Sequence, residues 1–373
     1  MTLSSLRTPA VLIDRARALR NLDRMQAAAS ARGIRLRPHA KTHKSPLIAR
    51  WQIDRGAVGI CCAKLGEAEV MAEAGIADIR LPYPINPSNA DRVLALLDRT
   101  RLSFILDHPG VARQWSAAMT AASKDVDVLV KVDVGFHRCG IDPGAGAVEM
   151  IRDVSRLPGL RFKGLLAHAG HTYHAHSEDE MRVMAEGEAA TLRDLVGRCR
   201  VAGIHIDEVS AGATPPARYS IQQEGFTEFR PGNYVYFDRT QVALGAATID
   251  DCALTVLATV VSKPASDRII FDSGSKTLTS DGARGFTPAP GYGVVLDHPN
   301  LLIERLSEEH ATVKVIDGAT SLEPGDRVRI VPNHSCPVSN LTERAWLVEG
   351  PSTTFRPSDA VEALPIAARG RNS

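Results

Sequence analysis

The sequence predicts an α/β protein in two parts, a (β/α)8 TIM-type barrel followed by a mostly antiparallel β domain. From Val11 to about residue 210, short β-rich runs alternate with amphipathic helical segments, which is typical of βα units around a parallel sheet. Polar residues cluster where several of these runs end, and barrel enzymes place their chemistry there. After about Gly245, short apolar runs are separated by Gly, Pro, Asp and Ser, which favours antiparallel strands. We therefore expect the barrel in residues 1–245 and the β domain in residues 246–373, with the first residues as a segment that could join the β domain.

Eight runs are candidates for the barrel strands: Val11 to Asp14, Ile34 to His43, Val58 to Ala63, Ile79 to Pro84, Leu102 to Asp107, Val126 to Val134, Phe162 to Ala169 and Ile206 to Ala211. Helices are predicted at Arg15 to Ala31, Leu65 to Ala74, Pro87 to Leu97, Gly110 to Ala122 and Glu178 to Ala202. An open doubly wound sheet is the alternative, but no G-x-G-x-x-G turn follows an early strand. The polar tail from Ala367 to Ser373 is expected to fray.

The β domain is predicted from five apolar runs: Ala253 to Val261, Arg268 to Phe271, Leu301 to Arg305, Thr312 to Ile316 and Val328 to Val331.

Composition limits the partners of the protein. Lys and Arg total 44 against 43 for Asp and Glu, so no excess charge draws the whole protein to nucleic acid or to a membrane surface. The N-terminus lacks a signal-like apolar run, and six scattered cysteines show no disulfide framework. We expect a cytoplasmic protein with a small-molecule substrate.

The segment from Arg35 to Lys44 contains the most informative lysine of the chain. If it is a strand, Arg35, Arg37 and Lys41 share one face with His39 and His43. A partly desolvated lysine among cations has a lowered pKa, as a Schiff-base nucleophile or proton carrier requires. A solvated basic edge strand is the alternative interpretation.

Two later segments carry polar side chains directly after predicted strands. Arg138 lies in the Gly-flanked turn Asp133 to Gly140, where it could hold a phenolate or carboxylate or form a surface ion pair. The turn from His168 to His176 holds four histidines and Tyr173. Such density suggests zinc, but the histidines have no fixed period and no suitably spaced carboxylates. Tyr173 could instead form a hydrogen bond with a flat heterocycle.

Small-residue loops and a late cysteine complete the candidate site. Ser210 to Pro216 and Arg230 to Tyr234 offer backbone N–H groups and hydroxyls that suit a phosphate. His334 and Cys336 are two residues apart, so in extended chain they point the same way and could share a zinc ion. A buried structural cysteine is the alternative.

In this order along nearly the whole chain, the motifs resemble the D-serine dehydratase and D-threonine aldolase family. These motifs are Pro-His-Ala-Lys-Thr-His-Lys, the Arg138 turn, His-Ala-Gly-His-Thr-Tyr, Arg-Pro-Gly-Asn-Tyr and Pro-Asn-His-Ser-Cys-Pro. The family consists of fold-type III pyridoxal-phosphate (PLP) enzymes related to alanine racemase. The resemblance implies a homodimer with active sites near the subunit interface.

The resemblance also implies a role for each site residue. Lys41 is the lysine that binds PLP covalently. The remaining roles are Arg138 at the cofactor's phenolic oxygen, Tyr173 at its pyridine nitrogen, Thr214, Gly232 and Asn233 at its phosphate, and His334 and Cys336 at a divalent metal. Zinc is the expected metal, with manganese and magnesium as alternatives.

Two reactions of D-β-hydroxy amino acids are compatible with this resemblance. β-Elimination from D-serine or 3-hydroxy-D-aspartate gives a keto acid and ammonia, whereas retro-aldol cleavage gives glycine and an aldehyde. Aldolases of the family tend to carry an aspartate where this chain has Cys336, which favours elimination. The Gly59-Ile60-Cys61-Cys62-Ala63-Lys64 run resembles the aldolases. A non-catalytic PLP carrier and a metallohydrolase that uses the four-histidine turn are the remaining alternatives.

Overall fold

A computed structural model describes residues 1–286, 288–349 and 356–373 of the chain. After strand β1 (Ala10–Asp14), a parallel eight-stranded sheet runs in the order β2-β9-β8-β7-β6-β5-β4-β3. Its strands are β2 (Arg35–Leu36), β3 (Ile60–Cys61), β4 (Asp78–Pro84), β5 (Arg101–Leu106), β6 (Val126–Lys131), β7 (Leu160–Leu166), β8 (Glu208–Ala211) and β9 (Glu228–Phe229).

The two edges of this sheet meet, so that the sheet closes on itself. Val58 donates a backbone hydrogen bond to Leu36, and Cys61 donates one to Pro38, at 2.9 and 2.7 Å. Closure leaves no sheet edge free for pairing. The predicted barrel is confirmed.

Nine α-helices accompany the barrel in the described residues, and most of them cover its outside and connect its strands. They are α1 (Arg15–Ser30), α2 (Pro46–Asp54), α3 (Leu65–Glu73), α4 (Ala90–Leu97), α5 (Pro109–Ala121), α6 (Ala147–Ser155), α7 (Glu178–Val201), α8 (Ala217–Ser220) and α9 (Arg239–Ala243). Apolar side chains of these helices, such as Trp115 and Leu192, pack with the strands in one large core. No helix in the described ranges combines the length and the apolarity needed to cross a membrane.

The β domain is a mixed, mostly antiparallel sheet that follows the barrel. Its elements are β10 (Leu254–Ala265), β11 (Arg268–Phe271), α10 (Ser275–Leu278), β12 (Val294–Val295), β13 (Leu301–Leu306), β14 (Ala311–Val315), β15 (Arg327–Val331), α11 (Ser335–Leu341), β16 (Arg344–Val348) and β17 (Val361–Pro365). The main path is β13-β14-β11-β10-β1-β16-β17, and β15 pairs with both β10 and β12. The five predicted runs of this domain all correspond to strands.

The prediction that Val11 to Asp14 forms a barrel strand is wrong. Strand β1 pairs antiparallel with β10 and parallel with β16, so it belongs to the sheet of the β domain. All five of its residues are buried. A short, fully buried apolar run looks the same in either sheet, so periodicity could not choose between them. The eighth barrel strand is instead β9, whose two residues carry no apolar pattern.

The prediction of one strand from Ile34 to His43 is also wrong. Strand β2 ends at Leu36, and a 3₁₀ helix occupies Ala40–Thr42. Pro38 supplies no N–H to a sheet ladder, which helps to end the strand. The alternating face inferred for Arg35 to His43 therefore does not exist.

The tail is packed rather than frayed. Ala368 is buried and its N–H donates to the carbonyl of Lys44 at 3.0 Å. The N–H of Gly66 donates to the carbonyl of Ser373 at 2.8 Å. These contacts hold the tail against the barrel beside the start of α3.

A network of buried ions fills part of the barrel interior. Arg80 donates to Glu228 at 2.6 Å and to Glu208 at 2.8 Å. Arg37 donates to Glu228 at 2.7 Å and forms a second ion pair with Asp78. Burial raises the pKa of Glu228, but the charges of Arg80 and Arg37 outweigh it and lower that pKa to about 2. The Arg37 cation is thus paired with carboxylates inside the barrel.

Candidate active site

A cavity of about 650 Å³ lies at the carboxyl ends of the barrel strands, between the barrel and the β domain. Parallel barrels carry their functional loops at this end. All eight residues predicted for the site line this cavity: Lys41, Arg138, Tyr173, Thr214, Gly232, Asn233, His334 and Cys336. The structure therefore brings together residues from both domains in one site.

Lys41 lies in the short 3₁₀ helix that follows β2. The ring of His39 caps this helix, because Nδ1 accepts a hydrogen bond from the N–H of Lys41 at 3.3 Å. Thr42, the next residue, is buried, and its hydroxyl lies 3.2 Å from Sγ of Cys336. The lysine loop of the barrel is thus in direct contact with the β domain.

Arg138 is presented to the cavity by a tightly organised loop. Oδ1 of Asp133 accepts hydrogen bonds from the N–H groups of Gly135, Phe136 and His137, each at 3.0 Å. The guanidinium of Arg138 lies 4.9 Å from the ring centroid of Phe136, in cation–π geometry. The exposed Arg138 can therefore meet an anion in the cavity without first breaking an ion pair.

Only part of the histidine turn, His168 to His176, lines the cavity. His168 and His174 line the cavity, whereas His171 and His176 do not. Nδ1 of His168 lies 3.3 Å from the carbonyl of Gly212. Within the described residues, no group of three or more His, Cys, Asp or Glu side chains is arranged to hold a metal ion. The geometry gives no support to a metal site built from this turn.

Tyr173 lies in the same turn, with its hydroxyl directed at α9, the short helix that precedes the β domain. Gln241 donates to this hydroxyl from Nε2 at 3.3 Å. Burial raises the pKa of Tyr173 above its ordinary value. The phenol is therefore neutral and can donate its own proton to a ring nitrogen in the cavity.

The two small-residue loops meet at Thr214. Its hydroxyl oxygen accepts hydrogen bonds from the N–H groups of Gly232 and Tyr234, both at 3.3 Å. A Cβ on Gly232 would lie 3.1 Å from Cβ of His39, so a larger residue there would press on the lysine loop. This close packing leaves a groove of backbone and hydroxyl groups at the cavity wall.

Asp238 joins that wall to the β domain and was missed by the sequence analysis. Its Oδ2 accepts from Nδ2 of Asn233 at 2.6 Å and from the N–H of Ser335 at 2.9 Å. Its Oδ1 caps α9 by accepting from the N–H of Gln241 at 3.0 Å. An aspartate directly before a short helical segment is a recognisable N-cap signal, but its contact with Ser335 is visible only in the fold.

His334 and Cys336 lie at the start of α11 on the β-domain side of the cavity. Burial lowers the pKa of His334, but the adjacent Cys336 outweighs it and raises that pKa to about 9. Burial raises the pKa of Cys336, but His334 outweighs it and the pKa is lowered overall. Nδ1 of His334 also lies 2.7 Å from Oδ2 of Asp281. A readily ionised thiol beside an imidazole is a donor set that suits zinc.

Further cationic side chains line the barrel side of the cavity. Lys131 ends β6, and burial lowers its pKa to about 7. Arg230 is buried, donates to the hydroxyl of Ser210 at 2.7 Å and also donates to the carbonyl of Ala167. Lys131 directly follows the mostly apolar run Val126 to Val130, so the sequence alone could have identified it as a candidate. Burial and neighbouring cations hold the pKa of His168 well below its ordinary value.

The donor set of the barrel wall fits PLP. An amine at Lys41 can bind the aldehyde, Arg138 can face the phenolate, and Tyr173 can donate to the ring nitrogen. The groove beside Thr214 offers hydroxyl and amide groups for a phosphate. The six predicted cofactor residues thus carry the chemistry that the cofactor requires.

Comparisons with known proteins agree with this geometry. A family model described as "Alanine racemase, N-terminal domain" matches residues 13–240, and one described as "Putative serine dehydratase domain" matches residues 253–348. The chain is 34% identical over 343 residues to a D-threonine aldolase from Arthrobacter sp., which covers 91% of this chain and 88% of the relative.

A dehydratase is equally similar in sequence. The chain is 34% identical over 352 residues to a D-threo-3-hydroxyaspartate dehydratase from Delftia sp. (strain HT23), which covers 90% of this chain and 92% of the relative. The solved structure of the Delftia sp. HT23 enzyme matches with a TM-score of 0.90 at 31% identity over 98% of both chains. This chain therefore belongs to the alanine-racemase-like, fold-type III family of PLP lyases that contains the D-serine and 3-hydroxy-D-aspartate dehydratases and the D-threonine aldolases.

Proposed function

We propose that this protein is a PLP- and divalent-metal-dependent lyase that acts on D-β-hydroxy amino acids by β-elimination. One observation carries the proposal: the lysine loop and the His334–Cys336 pair, which come from different domains, touch in one cavity through the 3.2 Å contact between Thr42 and Cys336. A substrate bound at Lys41 would thus place its β-hydroxyl toward His334 and Cys336.

Each residue has a proposed role in binding. Lys41 binds the cofactor aldehyde, Arg138 faces its phenolic oxygen and Tyr173 donates to its pyridine nitrogen. Thr214, Gly232 and Asn233 hold its phosphate. His334 and Cys336 bind the metal, for which zinc is the first choice since thiolate and imidazole favour it over manganese or magnesium. The solved structure of a cysteine-to-alanine mutant of a D-threo-3-hydroxyaspartate dehydratase is of the metal-free form, which supports a metal in the family.

The chain's own side chains then perform the proton chemistry. Bound PLP supplies an electron sink for negative charge at Cα, and a metal ion at His334 and Cys336 would supply a Lewis acid for the β-hydroxyl. Lys41 accepts the Cα proton at Nζ. The neutral phenol of Tyr173 and the partly buried imidazoles of His39 and His168 line the cavity and orient the cofactor ring without adding charge.

The second candidate is retro-aldol cleavage, in which the β-hydroxyl loses its proton and the Cα–Cβ bond breaks. It is favoured by the D-threonine aldolase from Arthrobacter sp., which is as similar to this chain as the dehydratase is. Cys336 favours elimination, because aldolases of the family tend to carry an aspartate at that position. We therefore rank the dehydratase first.

Product analysis tests the proposal. The purified, PLP-loaded protein is given D-serine, D-threonine and both 3-hydroxy-D-aspartate diastereomers, with and without zinc, manganese or magnesium, and L-serine serves as the control. Keto acid with ammonia supports the dehydratase, whereas glycine with an aldehyde supports the aldolase. Neither product from any substrate would contradict the proposal and favour a PLP carrier or a hydrolase.

Assembly is a separate part of the proposal. We propose a homodimer, because the family resemblance implies active sites near a subunit interface. Light scattering on the PLP-loaded protein should give twice the 40.1 kDa mass of one chain. A monomeric mass in the active enzyme would contradict it.

A further inference from the structure

A loop of the β domain forms the cavity wall next to His334. Ser280, Asp281, Gly282 and Arg284 all line the cavity, in the segment between α10 and β12. The sequence analysis did not identify this loop.

Contacts on both sides hold the loop in place. The carbonyl of Asp281 accepts from Nδ2 of Asn333 at 3.0 Å, and its Oδ2 lies 2.7 Å from Nδ1 of His334. At the other end, the N–H of Phe286 donates to the carbonyl of Ala243 at 3.1 Å. A loop held at both ends presents its intervening side chains from a defined position at the cavity mouth.

Arg284 is the cation that this loop brings to the cavity. Its side chain is exposed, and none of the ion pairs among the described residues involves it. Arg284 and Tyr173 line the same cavity, and the positive charge of Arg284 opposes the effect of burial, which raises the pKa of the Tyr173 phenol. A guanidinium in this position can receive a carboxylate in bidentate fashion.

The other cations of the cavity lie on its barrel side. Arg230 is held by Ser210 and Ala167, and Arg138 lies over Phe136 on the barrel side. Lys131 is buried at the end of β6. Arg284 alone among these cations comes from the loop that contacts His334.

Substrate chemistry connects this position to a second carboxylate. In the proposed function, the β-hydroxyl is directed to His334 and Cys336. Any other substituent of the β-carbon is attached to the same atom as that hydroxyl, so it must lie beside this pair. In D-serine that substituent is hydrogen and in D-threonine it is methyl, neither of which uses a guanidinium.

We infer that Arg284 binds a carboxylate on the substrate's β-carbon, which makes a β-hydroxy dicarboxylic amino acid, 3-hydroxy-D-aspartate, the preferred substrate class. This inference rests on the proposed function. It adds a specificity residue that acts on the substrate side chain and takes no part in the bond-breaking step.

Kinetics provide the first test. Arg284→Met keeps an unbranched, flexible stem and removes the guanidinium and its charge. We expect the ratio of kcat/KM for 3-hydroxy-D-aspartate to kcat/KM for D-threonine to fall about 10- to 100-fold, as for the loss of a charge-assisted hydrogen bond. Arg284→Lys should restore part of the ratio. Arg305→Met, which removes an exposed arginine of β13, is the matched control and should leave the ratio unchanged. An unchanged ratio in Arg284→Met overturns the inference.

Binding provides the second test and separates this inference from the proposed function. D-Aspartate and D-alanine lack the β-hydroxyl, and only D-aspartate has the β-carboxylate. Titration of the PLP-loaded protein, followed by its visible absorption, should show tighter binding of D-aspartate than of D-alanine, and Arg284→Met should abolish the difference. Equal affinities in the unsubstituted protein overturn the inference, even if product analysis supports a lyase. A lost preference in the variant supports it, even if the reaction proves to be retro-aldol cleavage.

Discussion

The two walls of the cavity are built in different ways. The barrel wall rests on a network of buried ions, in which Arg80 and Arg37 hold Glu228 and the hydroxyl of Ser210 links Glu228 to Arg230. The β-domain wall rests on an apolar sheet, and its functional side chains lie on connecting segments, as His334 and Arg284 do. The barrel wall is therefore held in place by the buried ion network inside the barrel, whereas the β-domain wall is held mainly by contacts between loops.

This difference suggests that the two domains serve different functions in the site. A cofactor common to the whole family needs a fixed set of contacts, and a buried network of ion pairs and hydrogen bonds provides rigidity. Substrate and reaction type differ between dehydratases and aldolases, and loops on a stable scaffold can vary without disturbing the core. We expect variants on the barrel wall to affect cofactor binding or folding, and variants on the β-domain wall to affect turnover and substrate choice.

The largest effect is expected for the barrel lysine. Lys41→Ala should lower activity by at least about 10³-fold, because it removes the proposed covalent anchor of PLP, which is also the proposed proton acceptor. The visible absorption of bound PLP should disappear after dialysis. Lys314→Ala, an exposed lysine of β14, is the control and should retain both. Retention of the absorption band by Lys41→Ala would show that another amine binds the cofactor.

The next largest effect is expected for the ion network under the barrel wall. Arg80→Leu leaves Glu208 and Glu228 buried without their shared partner, so the free energy of unfolding should fall by about 3–5 kcal/mol. Denaturant titration measures it. Arg99→Leu removes a barrel arginine whose side chain is 59% exposed, and it should cost under about 1 kcal/mol.

The pH dependence of this loss tests its electrostatic origin. Glu228 has a folded-state pKa of about 2, lowered from 4.5. A carboxylate with a depressed pKa contributes stability that is present above pH 4.5 and is lost as the pH falls through about 2. The stability difference between the unsubstituted protein and Arg80→Leu should therefore be largest above pH 4.5 and shrink toward pH 2. A difference that stays constant with pH would mean that lost packing, not unpaired charge, is responsible.

On the β-domain wall, Cys336→Ala should lower turnover about 100-fold while PLP remains bound, because the proposed metal ligand is removed and the barrel contacts are kept. Metal content, turnover and visible absorption are measured on the same preparation. Cys199→Ala, at a buried cysteine of α7, is the matched control. Full activity of Cys336→Ala in chelated buffer would exclude the metal role of this thiol.

The smallest effect is expected for Asp281, which contacts His334 and lies one contact away from the proposed metal site. Asp281→Asn weakens the partner of Nδ1 of His334, so the affinity for zinc should fall about 10-fold, as for other residues that orient a metal-binding histidine. Metal titration against a competing chelator measures it. Asp267→Asn, at an exposed aspartate of the same domain, should have no effect. If both variants bind zinc equally well, the contact of Asp281 serves only to hold its loop.

Much of the site could be predicted from motifs, because their residue types already carry the chemistry. All eight predicted residues, from Lys41 to Cys336, line the cavity. Their roles in binding PLP and metal stay predictions. The geometric reason first offered for Lys41 was wrong: it lies in a 3₁₀ helix and not on the polar face of a strand. The motif around Lys41 nevertheless placed this residue in the cavity, although its local structure was misjudged.

The residues that were missed share one property, since their importance depends on distant partners. Asp238 acts through Ser335, Asp281 acts through His334, and Arg80 acts through Glu228. Each is an ordinary charged residue in its local sequence. Strand β1 was assigned to the wrong sheet for the same reason, because its partners lie in β10 and β16.

The sequence by itself determined the positions of most strands, the change from a parallel to an antiparallel pattern, and the chemical groups available to the site. These properties follow from local periodicity and residue type, which are read within a few residues. Only the tertiary structure decided how the barrel closes, which sheet receives β1, and which loops meet at the cavity. Thr42 and Cys336 lie 294 residues apart in the chain and 3.2 Å apart in space, and a contact of that kind is set by the packing of two whole domains.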